Sequence, residues 1–256
     1  MKVTIITCCF NRKGSIGSTI ESVLRQTYKD IEYIVVDGGS TDGTRKIIDG
    51  YRDRIAKVIF KSDHGMYEGI NNGIREATGD VIALCHSDDQ LYDEHTVEEV
   101  VGEFKRHPEA EMVYADGLYV NSESGKAVRV WKSMNMRRWL LKCGWLPLHT
   151  TCYVRREVYE RYGLYDEGYR IASDTKFLLN ILYKNRIHAT YLPQFVVKMQ
   201  MGGASTDMNR QKEMWNEDVR VFREIGFRFP AWMKIMKMMW KPSQFIRGEL
   251  RRGKDS

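Results

Sequence analysis

The chain has 256 residues, 43% hydrophobic and 29% charged, with a net charge of +6. That composition excludes a disordered or collagen-like chain and supports a packed core. No run approaches the ~20 apolar residues of a spanning helix, and MKVTIITCCF at the start lacks a signal-peptide cleavage site, so a cytosolic protein is expected.

In chain order, residues 3 to 9 (VTIITCC) read as a buried strand. Ile16, Ile20, Val23 and Leu24 give residues 15 to 26 helical spacing. IEYIVVD is a second strand, STDGTRKIIDGYRDR opens a helix behind Ser40-Thr41-Asp42, and KVIF is a third strand. GMYEGINNGIREA reads as helix and DVIALC as a fourth strand, followed by Asp88-Asp89 and a helix from about His95 to Arg106. These strands are continuous apolar runs, as expected when helices cover both sheet faces. The expectation is an open α/β sheet, largely parallel and flanked by helices. Its ligand would lie beyond the carboxyl ends of the strands. Asn11, Asp37, Asp63 and Asp88-Asp89 all follow strands, so they converge on one edge.

The second half differs. EMVYADGLYVN alternates and suggests an antiparallel strand or hairpin, residues 173 to 185 a helix, and ATYLPQFVVKMQM one or two strands. The cysteines Cys8, Cys9, Cys85, Cys143 and Cys152 are odd in number and show no C-x-x-C pair, which fits reduced thiols better than a disulfide framework or zinc site. From Arg228 onward eight Lys or Arg face two acidic residues, so the tail carries the whole excess charge.

A P-loop is absent, and DGGSTDG is not the glycine pattern of a dinucleotide fold. Adjacent carboxylates at a strand end suit Mg²⁺ or Mn²⁺, with substrate phosphates completing the coordination. Asp88-Asp89 would otherwise cap the next helix, Asp37 a turn and Asp174 its own helix.

TCCFNRKGSIGSTIESVLRQTYKDIEYIVVDGGSTDGT, SDHGMYEGINNGI, GDVIALCHSDDQLY and YRIASDTKFLLN together resemble family 2 glycosyltransferases, in particular small bacterial members that build surface polysaccharides. The resemblance spans about residues 2 to 206. It implies a GT-A fold, a nucleotide-sugar donor, Mn²⁺ or Mg²⁺ and inversion at the anomeric carbon. By position it assigns Thr7, Phe10, Asn11, Arg12, Asp37, Asp63, Gly65, Asn71 and Asp88 to the donor. It assigns Asp89, with Asp88, to the metal and Asp174 to the catalytic base; an inverting transferase needs one carboxylate to take the acceptor proton. His149 matches a histidine on the acceptor side; a core or surface role fits it as well. His86 departs from the pattern, since relatives carry Asn or Asp there. The implied division is 1–110 for the donor, 111–227 for the acceptor and 228–256 as a basic tail.

In that tail Trp232, Ile235, Met236, Met239 and Trp240 recur at helical spacing, with Lys234, Lys237 and Lys241 on another face. Pro230 starts this helix and Pro242 ends it. It suits an anionic membrane surface or, alternatively, packing on the catalytic body; nucleic acid is disfavoured. MGGAST (201 to 206) reads as a closing loop or an ordinary turn. The expected protein is a peripheral enzyme on the cytoplasmic face of the cell membrane, passing a sugar, UDP-linked, to a glycan acceptor on a lipid carrier. A nucleotide-sugar binding protein and a sugar nucleotidyltransferase are the rivals.

Overall fold

The computed structural model describes residues 1–63, 65–121, 124–200 and 210–252. The chain opens with β1 (Val3–Cys9), α1 (Ile16–Leu24), β2 (Ile31–Asp37), α2 (Thr44–Asp49), β3 (Lys57–Phe60), α3 (Met66–Glu76) and β4 (Val81–Leu84). β1 pairs in parallel with β2 and β4, and β2 with β3. Consecutive residues point to opposite faces, and both faces are covered. Ile6, Ile34, Val36 and Ile82 pack with Tyr67, Ile70 and Ile74 of α3. Ile5, Val35, Val81 and Ala83 pack with Ile16, Ile20 and Val23 of α1. This two-sided burial is why the strands lack hydrophobic alternation, and each such side chain contributes about 1.5–3 kcal/mol.

The chain continues through β5 (Asp89–Leu91), α4 (Thr96–Arg106), β6 (Met112–Val120), β7 (Ala127–Trp131), α5 (Arg138–Lys142), β8 (Tyr153–Arg155) and α6 (Arg156–Tyr162). Then come α7 (Ser173–Leu179), β9 (Ala189–Gln200), α8 (Gln211–Ile225), α9 (Pro230–Met239) and α10 (Lys241–Arg252). The sheet order is β3-β2-β1-β4-β8-β6-β9-β5, with β7 added beside β6. β8 runs antiparallel to β4 and β6, and β7 is antiparallel to β6. β9, however, joins β6 in parallel. The hairpin expected around residues 112–120 is therefore only part of the arrangement. Likewise α7 gives way to a π turn at Asn180–Lys184 instead of running as one α-helix.

The tail departs furthest from expectation. The helix begun at Pro230 does end just before Pro242, at Met239, but a further helix, α10, starts at Lys241 and lies against β7. Lys234 is 4% exposed and ion-paired with the buried Asp218 of α8. Lys237 joins the same carboxylate at 2.8 Å and donates to Thr175 Oγ1 at 2.8 Å. The lysine face is turned inward because α8 offers it a buried acid. Phe229, Trp232, Ile235 and Met239 are left outward, while Met233 is buried. Gly144 permits the close approach: its φ is +72°, and a Cβ there would lie 2.5 Å from the Lys237 backbone nitrogen. All five cysteines are free.

Candidate active site

Strands β2 and β4 leave β1 in opposite directions, so a crevice opens beyond its carboxyl end. A cavity of about 580 Å³ lies there, within the usual range for small-molecule sites. Phe10, Arg12, Asp63, Gly65, Asp88 and Asp89 line it on one side, with His86, His149 and Asp174 opposite.

The other residues assigned to the donor by resemblance form the support behind this wall. Asn11 adopts a left-handed φ of 52°, tolerated by its short amide, and its Oδ1 accepts from the Thr41 amide at 2.9 Å. This couples the β1 loop to the β2 loop and displays Phe10. Asp37 is 1% exposed and accepts from the Ser40 amide and hydroxyl at 3.1 and 2.5 Å, so its carboxylate braces the turn after β2. Thr7 is fully buried, donating to the Cys85 carbonyl and accepting from Tyr33. Asn71 binds the Tyr165 backbone at both ends of its amide and donates to Glu167. Thr7, Asn11, Asp37 and Asn71 do not line the cavity; they position those that do. Asp63 fits between Gly38 and Gly69, where a Cβ would come within 2.7 and 2.9 Å of its carboxylate.

Asp88-Asp89 does not cap the next helix. The N-cap of α4 is His95, and Asp93 braces the turn before it, accepting from the His95 amide at 3.0 Å and the Thr96 hydroxyl at 3.1 Å. Asp89 instead begins the short strand β5, held by Thr19 at its carbonyl and Ser22 at the Leu91 amide. It is 2% exposed, and its buried Oδ2 has no hydrogen-bond partner. Burial, then the neighbouring Asp88, pushes its carboxyl well above the usual carboxylate range. An orphaned carboxyl oxygen beside a second carboxylate, costly to ionise without a counter-charge, fits a hard divalent cation. Among the described residues there is no group of three or more ligating side chains. That also fits Mg²⁺ or Mn²⁺, which take one or two carboxylates and complete their shell with phosphate and water.

Across the cavity, Asp174 stands in the first turn of α7. The amides leading into that helix, at Arg170, Ile171 and Ala172, are satisfied by Glu217 of α8 at 2.8–2.9 Å. Asp174 Oδ1 accepts from the Thr175 amide at 2.7 Å, and Oδ2 meets His149 Nδ1 at 3.2 Å. Tyr67 from α3 donates to the Ile171 carbonyl at 2.6 Å, just before α7. Burial pushes the Asp174 carboxyl up, but the His149 hydrogen bond and the charges of His149 and Lys237 outweigh it and hold the carboxyl at about 2.

His149 Nε2 lies 3.1 Å from His86 Nε2. Burial, then the charge of His149, lowers His86 to about 3, so His86 is neutral near pH 7. With His149 Nδ1 directed at the carboxylate, its Nε2 is left to face the His86 ring. His86 thus extends an Asp174–His149–His86 row. Tyr67 and Tyr119 at this cavity's wall, and Glu217 beneath the start of α7, carry no sequence signal of their own, because their relation to Asp174 is made only by the fold. Residues 201 to 206 lie outside the described residues.

The family model for glycosyl transferase family 2 matches residues 4–163. A PGL/p-HBAD biosynthesis glycosyltransferase of Mycobacterium bovis is 26% identical over 206 residues, covering 79% of this chain and 78% of the relative. Among solved structures, Staphylococcus aureus TarS 1-349 in complex with UDP-GlcNAc superposes with a TM-score of 0.70 at 18% identity, over 88% of this chain. The chain spans 65% of that TarS fragment. The mannosyltransferase PcManGT of Pyrobaculum calidifontis, in complex with GDP-Man and Mn²⁺, gives a TM-score of 0.66 at 18% identity, over 92% of this chain and 68% of its own. These likenesses establish the fold as GT-A.

Proposed function

The chain belongs to glycosyl transferase family 2, and on that premise we propose that it is an inverting, metal-dependent transferase moving a sugar from a UDP-linked donor to a glycan hydroxyl. One observation carries the reading. A single cavity has an orphaned, buried Asp89 oxygen on one side and the histidine-held Asp174 carboxylate on the other.

Phe10, Arg12, Asp63 and Gly65 form the wall for the nucleoside, and Asp88 and Asp89 would hold the metal. Mn²⁺ or Mg²⁺, when bound, neutralises the diphosphate charge. The acceptor oxygen attacks the anomeric carbon opposite the leaving group and forms the new C–O bond as the bond to the diphosphate oxygen breaks. Asp174 takes the hydroxyl proton. His149 orients the carboxylate and His86 orients His149; both are positioning residues. Configuration inverts because the displacement is single. No second carboxylate is required of the protein, since the leaving group departs as a diphosphate.

The acceptor is read as lipid-linked and the enzyme as peripheral at the cytoplasmic membrane face. The support is the exposed row Phe229, Trp232, Ile235 and Met239, beside Arg228. Among the described residues no helix is long and apolar enough to cross a membrane.

The test is thermal stability against UDP, GDP, CDP and ADP with and without Mn²⁺, paired with turnover. Nucleotide at ~100 times its dissociation constant should add ~2.7 kcal/mol. A metal-dependent shift lost in Asp89→Ala is expected. Asp174→Asn should keep that shift and lose turnover by roughly 10²–10⁴-fold. Full turnover in Asp174→Asn would remove the base assignment, and absence of any metal-dependent shift would remove the donor site.

A further inference from the structure

A second cavity, of about 120 Å³, lies between β6–β7, residues 144–149 and α9–α10, and shares Tyr119, His149 and Asp174 with the first. Its walls are largely aromatic and aliphatic, including Trp131, Trp145 and Trp240. Yet four cationic side chains line it: Arg129, Lys234, Lys237 and Lys241. Asp174 is engaged by His149, so Asp218 is the carboxylate among the lining residues that pairs with these cations, and it takes Lys234 and Lys237 together.

Among the described residues, Arg129 and Lys241 have no ion-pair partner of their own. Arg129 is 5% exposed; its Nε donates to Gln244 at 2.6 Å, and its face lies over Tyr119 and Trp131. One buried Nη has no partner. Stacking satisfies the guanidinium face, not that edge. Lys241 is half-buried and has no hydrogen bond or ion pair among the described residues. Its amine is lowered to about 8 by burial, then by Lys234, Arg129 and Lys237. Cations withdrawn from water without an anion are costly. The fold accepts that cost beside its own catalytic carboxylate.

We infer that this cavity binds the phosphoryl group of an amphipathic acceptor, placing the acceptor's hydroxyl-bearing part toward Asp174. The inference rests on reading Asp174 as the base. Arg and Lys edges together suit phosphate oxygens. The volume holds about four waters at about 30 Å³ each, enough for a phosphoryl group and too little for a nucleotide-sugar. The aromatic walls would accept the organic substituent that a phosphodiester carries.

The experiment uses the full chain in phosphate-free buffer with EDTA, so that the donor side is without metal. Hexyl phosphate, inorganic phosphate and hexanoate are titrated while tryptophan fluorescence and melting temperature are read; three tryptophans line the cavity. Expected is a saturable response to hexyl phosphate, at least tenfold tighter than to inorganic phosphate or hexanoate. It should weaken at least tenfold in Lys241→Met and Arg129→Gln and persist in Asp89→Ala. Lys241→Met should melt at or above the parent temperature without ligand, an outcome that a purely structural lysine would not give. It should also keep the UDP–Mn²⁺ shift, so that failure here is separable from failure of the transferase reading. Equal binding of inorganic phosphate would assign the cavity to a free anion and overturn the acceptor role. Equal binding of hexanoate, no saturable response, or unchanged affinity in both variants would overturn the phosphoryl site.

Discussion

The two cavities that meet at Asp174 differ in the sign of the charge they leave unbalanced. On the donor side Asp89 keeps a buried carboxylate oxygen without a partner, with Asp88 adding to the same charge. On the other side Arg129 and Lys241 are withdrawn from water without an acid. Neither region is arranged for the stability of the empty protein, since replacing such groups by apolar ones generally costs nothing or stabilises. The difference teaches that each region is completed by something of opposite sign. One suits a cation that brings a diphosphate, the other an anion that brings the acceptor.

The strongest way to break this contrast is at Asp218, the acid that pairs with two of the four cations. Asp218→Asn should destabilise the fold by about 3–5 kcal/mol, read from urea unfolding, because Lys234 would be stranded in the core. Adding Lys234→Met should recover much of that loss. An effect below about 1 kcal/mol would mean the inward lysine face is not held as described.

A smaller effect sharpens the boundary between the cavities. Asp174 is held low, so its ionised form is present above the unfolded carboxyl value of about 3.9 and is lost only as pH falls through about 2. His149→Ala removes the two His149 contributions that lower it most and leaves Lys237, the Thr175 amide and the burial that raises it. The acid limb of kcat should therefore move upward, toward neutral pH, with donor affinity little changed. An unmoved limb would deny His149 its role. The smallest expected effect is at the outer face. Trp232→Ser with Met239→Ser should reduce co-sedimentation with anionic vesicles while changing stability by only about 0.5 kcal/mol per site, because both side chains are exposed. Truncation of residues 229–256 is a poorer probe, since it also takes Lys234 and Lys237 from Asp218.

The donor half was largely legible in the sequence because its information is local. Residues 3 to 9, 31 to 37 and 57 to 60 read as strands and form β1, β2 and β3. Their loops announce themselves through Asn11, Asp37 and Asp88-Asp89. Which of those residues face the cavity was not legible, because Thr7 and Asn71 are drawn away by Cys85 and Tyr165. Strand β5 is three residues long and exists through pairing with β9, Asp89 opposite Met199. The tail shows the same limit. Its period was plain, but its facing depends on Asp218, and no local pattern says which stripe an acid on α8 will claim. The cationic cavity joins Arg129 to Gln244 across 115 positions.

One contact described above bears on the order of events. The Tyr67 hydroxyl belongs to α3, directly behind Gly65 on the donor wall, yet it grips the Ile171 carbonyl and comes within 3.5 Å of Asp174. The base is thereby indexed to the donor wall rather than to the sheet beneath it. A donor that resettles Gly65–Tyr67 carries the start of α7 with it, so an acceptor arriving first would meet a base not yet in register. On the proposed transferase reading, such a linkage predicts sequential addition, donor before acceptor.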